Sequence, residues 1–165
     1  SLIRRVLRDA VGPAWWKAEW REGVGWGREL LQPSTMYHSA LLTLLGRFGE
    51  RRSILIKGIA HITGGGIPGK FRRILKKTGY GAELSNLWPL PSVLSDLLIL
   101  GRISMEEAYR TFCMGNGMLV VLPPEEESRA LAMLQSAGIE ARVAGTITRD
   151  PTIAIAAETG DLGFY

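Results

Sequence analysis

The chain has little with which to cross-link itself or to hold a metal: among its 165 residues there is one cysteine, Cys113, and there are two histidines, His38 and His61. A single thiol excludes an intramolecular disulfide and any multi-cysteine zinc site, and a reducing, cytoplasmic setting is expected. Long apolar runs are missing as well. No stretch approaches the roughly 18 uninterrupted apolar residues of a membrane span, and the N-terminus lacks the charged-then-apolar signature of a secretory signal, so no membrane is expected among the partners. Paired carboxylates, His-x-x-x-His and Gly-x-Ser-x-Gly are all absent, which argues against a self-contained metalloenzyme or hydrolase and predicts no metal ligands.

What is present has the balance of a packed chain. Hydrophobic residues make up 46% and charged residues 22% of the whole, enough for a core and too apolar for disorder. The length fits one domain, 1–165. The formal net charge of +4 hides an asymmetry: residues 1–80 hold 15 Lys and Arg against 5 Asp and Glu, whereas residues 81–165 hold 5 against 11. An anionic ligand is drawn to the first half. Because the chain opens at Ser1 inside a helical pattern, it is expected to be a piece of a longer polypeptide.

Periodicity and punctuation predict alternating helices and strands. Ser1 caps a helix with Leu2, Ile3, Val6 and Leu7 on one face, stopped by Gly12-Pro13. Residues 14–27 carry Trp15, Trp16, Trp20 and Trp26 and read as a short helix or an irregular flap. Aromatics among basic residues can stack single-stranded nucleic acid, but such segments more often cover a core, and no nucleic-acid partner is expected. A helix follows over 38–48, then a strand over 53–62, a short basic helix over 69–77 and a strand over 80–84. Helices are expected over 92–100 and 104–112, the second opened by the capping box Ser104-Met105-Glu106-Glu107. A strand over 117–122, a helix over 124–137 with Leu131 and Leu134 inward, and strands over 140–146 and 152–156 complete the pattern. The tail, 158–165, is expected to be unpaired. The fold class is α/β with α+β character, one mixed or antiparallel sheet covered by helices.

The most informative stretch is His61-Ile62-Thr63-Gly64-Gly65-Gly66 with Lys70, Arg72 and Arg73 just beyond. Three glycines after a strand let backbone N–H groups converge on a bulky anion, because no Cβ blocks the approach. Thr63 adds a hydroxyl, His61 an imidazole, and Lys70 and Arg73 positive charge. The spacing matches neither the P-loop nor the dinucleotide fingerprint, and a glycine-rich turn beside a core histidine is the plainer alternative. A second candidate is Arg110-Thr111-Phe112-Cys113-Met114-Gly115-Asn116-Gly117-Met118. Arg110 there is either an anion clamp or a helix C-terminal cation complementing the dipole. Cys113 has no base beside it in sequence and reads as a small buried residue.

Taken together, Ile56-Lys57-Gly58-Ile59-Ala60-His61-Ile62-Thr63-Gly64-Gly65-Gly66, Trp88-Pro89-Leu90-Pro91 and the segment from Glu107-Ala108-Tyr109 through Gly117-Met118 resemble the C-terminal domain of the aminoimidazole ribonucleotide synthetase family, the phosphoribosylformylglycinamidine cyclo-ligases. The resemblance extends from residue 1 to about 147. It implies an α/β domain with partial ferredoxin-like topology that forms the C-terminal half of a two-domain, homodimeric enzyme. The implied reaction is an ATP-dependent ring closure in purine synthesis, from formylglycinamidine ribonucleotide to aminoimidazole ribonucleotide, ADP and phosphate. ATP with Mg2+ would be held mainly by an N-terminal partner domain. The matching positions are His61, Thr63, Gly64, Gly65, Gly66, Arg73, Arg110 and Thr111: the turn and Arg73 for substrate phosphate or ribose, His61 for a polar or acid–base role near the reacting amidine. Departures stand at Lys70 and Cys113, where the family has Asn, and at Thr35 and Ser39, where it has cations. A non-catalytic binding or assembly module, or a relative activating a different acceptor, is the alternative these departures leave open.

Overall fold

In a computed structural model, residues 2–47, 49–157 and 160–165 are described. The expected cap Ser1, the helix position Phe48 and the first tail residue Glu158 lie outside the described residues. The apolar face of the first helix, α1 (Leu2–Val11), buries Val6 and Leu7, and the helix ends where Gly12 turns to a φ of 111°. Residues 14–27, expected as a short helix or an irregular flap, hold short regular elements. A 3-10 turn (Trp15–Lys17) leads to a small antiparallel ribbon, β1 (Glu19–Arg21) with β2 (Val24–Gly25), and then to α2 (Trp26–Leu30). Trp26 is buried, and Trp20 packs on it with ring centroids 5.9 Å apart. The Trp20 Nε1–H donates to Asp96 at 2.7 Å, and Arg21 meets the same carboxylate at 3.1 Å. These two indoles serve packing and hold the ribbon to the body.

The helix α3 (His38–Leu45) buries Ala40 and Leu44. The strand expected over 53–62 contracts to β3 (Gly58–His61), because Ile54 is drawn under α3, its N–H donating to the Leu44 carbonyl at 2.9 Å, and the chain bends there. The next helix, α4 (Gly66–Leu75), begins three residues earlier than the sequence suggests and turns Ile67, Phe71 and Leu75 inward. Then come β4 (Gly81–Leu84), α5 (Ser92–Gly101), α6 (Met105–Thr111), β5 (Met118–Val121), α7 (Glu127–Ser136), β6 (Thr146–Thr148), β7 (Ile153–Ala157) and β8 (Gly160–Phe164). Ser104 caps α6, its hydroxyl accepting from the Glu107 N–H at 3.2 Å.

The class is mixed α/β, but the strands are divided among three sheets where the sequence predicts one. Besides β1-β2 there is an antiparallel β3-β5 pair and a four-stranded sheet in the order β6-β4-β7-β8, with β4 parallel to β7. Residues 140–145, expected as a strand, are not one: the Val143 and Ala144 carbonyls accept from the Asn86 side chain and backbone N–H at 2.8 and 3.0 Å, and regular pairing starts only at Thr146. The tail also differs from expectation. The strand β8 pairs along the whole of β7, and Phe164 is only 1% exposed; a buried phenylalanine is ample reason for a chain end to stay in place. One principal core cluster lies under α4, α5, α6 and the four-stranded sheet, and a smaller one joins Leu44, Ile54 and Ala130. In α7 it is Ala130 that is buried, while Leu131 and Leu134 are partly exposed. Among the described residues no helix is long and apolar enough to cross a membrane.

Candidate functional site

The strand β3 delivers His61 at its end, opposite Met118 of β5, and the Ile62 N–H continues the pairing to the Gly117 carbonyl at 2.9 Å. Ile62 is buried, so the chain is pinned before it turns. Thr63, Gly64 and Gly65 then lie exposed, and Gly66 is buried as the first residue of α4. Gly65 and Gly66 have φ values of 95° and 59°, conformations that glycine adopts without the cost a Cβ brings. At Gly66 space decides as well: a Cβ there would overlap the Tyr109 carbonyl and crowd that of Phe112. The end of α6 is thus pressed backbone to backbone against the start of α4, and the two stretches singled out in the sequence meet here. At Gly64 and Gly65 a Cβ would meet nothing within 4 Å. The outer side of the turn is open space at the positive end of a helix dipole, the arrangement that binds phosphate and carboxylate.

The charge around the turn has one sign. No Asp or Glu occurs between Glu50 and Glu83, an interval with eight Lys and Arg. Lys70, Arg72 and Arg73 follow the turn on α4, and among the described residues none of them has an ion-pair partner. Arg110 is placed differently. Its Nε and Nη2 donate to Glu106 at 3.3 and 3.1 Å, and its guanidinium lies 4.9 Å from the Phe164 ring centroid. It serves α6 and the tail strand here. Thr111 is half-buried at the last position of α6, and Cys113 is half-buried just beyond.

Two residues that shape this region carry no signal in composition. Tyr37 meets the imidazole edge to face, centroids 6.2 Å apart, and its hydroxyl occupies the place a Cβ at Gly117 would take. Asn116, 4% exposed, accepts from the Trp88 N–H at 2.9 Å and donates to the Met114 and Trp88 carbonyls at 2.7 and 3.4 Å. It ties the 114–117 turn, with Met114 at a φ of 52° and Gly115 at 80°, to the Trp-Pro-Leu-Pro segment. The glycines flanking Asn116 are the sequence signal for a constrained turn. Among the described residues no group of three or more His, Cys, Asp or Glu is placed to hold a metal ion.

The family model described as AIR synthase related protein, C-terminal domain, matches residues 20–158. The chain belongs to this family. It is 34% identical over 149 residues to the phosphoribosylformylglycinamidine cyclo-ligase of Shouchella clausii (strain KSM-K16), covering 90% of this chain and 41% of that protein. To the enzyme of the same name from Magnetococcus marinus (strain ATCC BAA-1437 / JCM 17883 / MC-1) it is 36% identical over 148 residues, 90% of this chain and 40% of the relative. The chain therefore spans about two fifths of the length of these relatives. Among solved structures, a chain in the crystal structure of the HypE-HypF complex superposes with a TM-score of 0.59 at 19% identity, over 84% of this chain and 46% of that one, and shares the fold.

Proposed function

We propose that the chain is the C-terminal half of an ATP-dependent cyclo-ligase that closes the imidazole ring of aminoimidazole ribonucleotide from formylglycinamidine ribonucleotide, releasing ADP and phosphate. The observation that carries the proposal is the junction at Gly66, where the glycine turn and the end of α6 meet, in a chain whose relatives bear the cyclo-ligase name. In this reading the N–H groups of the 63–66 turn and the cations Lys70 and Arg73 take the substrate phosphate. A Cβ at Gly64 or Gly65 would meet nothing within 4 Å, which leaves the turn's outer side open to an approaching anion. Thr63 and Thr111 supply hydroxyls beside it. Arg110 reaches the same anion only by exchanging its Glu106 partner.

His61, exposed at the end of β3 and steadied by Tyr37, is in this reading the group that moves a proton. It would accept the proton lost by the amidine nitrogen as that nitrogen attacks the activated formyl carbon. Among the described residues no group of three or more His, Cys, Asp or Glu is placed to hold a metal ion, and in this reading ATP and its Mg2+ are held mainly by the N-terminal partner domain of the full-length enzyme, a cytoplasmic homodimer. The chain's own share is to bind and orient the acceptor and to offset negative charge, which is most of what phosphoryl transfer requires of a protein.

The test uses the full-length polypeptide with formylglycinamidine ribonucleotide and ATP, following ADP release. His61→Ala is expected to lower kcat by about 10²–10⁴-fold, and Arg73→Ala to raise KM for the ribonucleotide. A folded parent enzyme without turnover overturns the reading.

A further inference from the structure

A cavity of about 600 Å3 separates the two hydrophobic clusters and is walled by both: Phe71 and Leu119 from the principal cluster, Ala130 and Leu134 from the smaller one, with residues 139–147 running along it. Its volume is that of a small-molecule site, typically about 300–1,000 Å3. Its walls are mostly aliphatic and one side opens to solvent, so an apolar occupant would remove that lining from water. Water finds few partners there. Asn116, which reaches the lining, already spends its side chain on Trp88 and Met114. The occupant that suits these walls is apolar over most of its surface.

One lining residue is equipped to hold a polar end. The Arg142 guanidinium lies 3.7 Å from the Trp88 ring centroid, and its Nη1 donates to the Asn86 side chain and the Leu87 carbonyl at 3.3 and 3.4 Å. These contacts fix the group and leave Nε and Nη2 with no partner among the described residues. An oriented guanidinium with two free donors matches a carboxylate. The other charged lining residues, Glu127 and Glu140, repel an anion, so the head of such a ligand has Arg142 alone to sit on. We infer that the cavity binds an amphipathic carboxylate of fatty-acid type, its chain between α7 and β5 and its head on Arg142. The cavity reaches the candidate site at Tyr37, Gly117 and Met118, but carboxylate binding on Arg142 does not depend on the ring-closing activity.

The test titrates the 165-residue chain with decanoate and, separately, with decanol by calorimetry, and follows leucine and valine methyl resonances. Saturable one-to-one binding of decanoate is expected, about tenfold tighter than decanol, with shifts at Leu131, Leu134 and Val143. Arg142→Gln removes the preference for decanoate and leaves decanol binding in place, and Leu134→Trp fills the cavity and blocks both. The methyl shifts in the parent chain test the site even if Leu134→Trp fails to fold. No saturable binding, decanol as tight as decanoate, or shifts confined to the exposed Leu31 and Leu55 overturns the proposal.

Discussion

The start of α4 at Gly66 and the end of α7 at Gly138 both turn through glycine, yet they are built to different tolerances. In the first, Gly66 has a left-handed φ and no room for a side chain, because another backbone lies against it. In the second, Gly138 ends α7 with a φ of 74°, but a Cβ there would meet nothing within 4 Å, and the residues that follow run along a cavity. A glycine needed for both conformation and contact marks a joint that cannot move. A glycine needed for conformation alone marks a turn whose surroundings are free to change.

Substitutions along that difference should grade accordingly. Gly66→Ala breaks the α4–α6 junction and is expected to cost at least about 3 kcal/mol in urea unfolding, since both strain and overlap must be relieved. Gly138→Ala should cost about 1 kcal/mol, the left-handed conformation alone; a cost equal to that of Gly66→Ala would erase the contrast between the two regions. Gly64→Ala, with open space and an ordinary φ, should leave stability within about 0.5 kcal/mol while weakening phosphate binding, because the added Cβ stands where the anion would approach. The smallest effect lies just past β6. The Thr152 side chain and backbone N–H, the latter 2.8 Å from Asp150 Oδ1, hold the Asp150 carboxyl below its ordinary value. A lowered folded-state pKa gives stability that is present above the unfolded value and is lost as pH falls through the folded one. Acid titration of Asp150→Asn should therefore show a slightly flatter acid limb than the parent, and a steeper one would contradict the assignment.

The same contrast explains what could be read from residues alone. The glycine turn was legible because its chemistry is local: a strand running into three glycines, then cations, implies a backbone open to an anion wherever the rest of the chain goes. The helix caps at Ser104 and Gly138 were legible for the same reason. The strand expected over 140–146 was not, since alternation records a face to bury and not which edge is free to pair; Asn86, 57 residues from Val143, took the carbonyls instead. The tail was misread because nothing local marks Phe164 as a core residue, and its burial depends on β7. Tyr37 and Gly117 show the limit most plainly: each explains the other, but they are 80 positions apart.

The central claim is that the exposed side of the Thr63-Gly64-Gly65-Gly66 turn is an anion site. Amide resonances of the chain titrated with ribose 5-phosphate test it most directly. Saturable shifts at Gly64, Gly65 and Gly66, weakened in Arg73→Ala, are the expected result; shifts absent from the turn and scattered over Lys76, Lys77 and the arginines of α1 would contradict it.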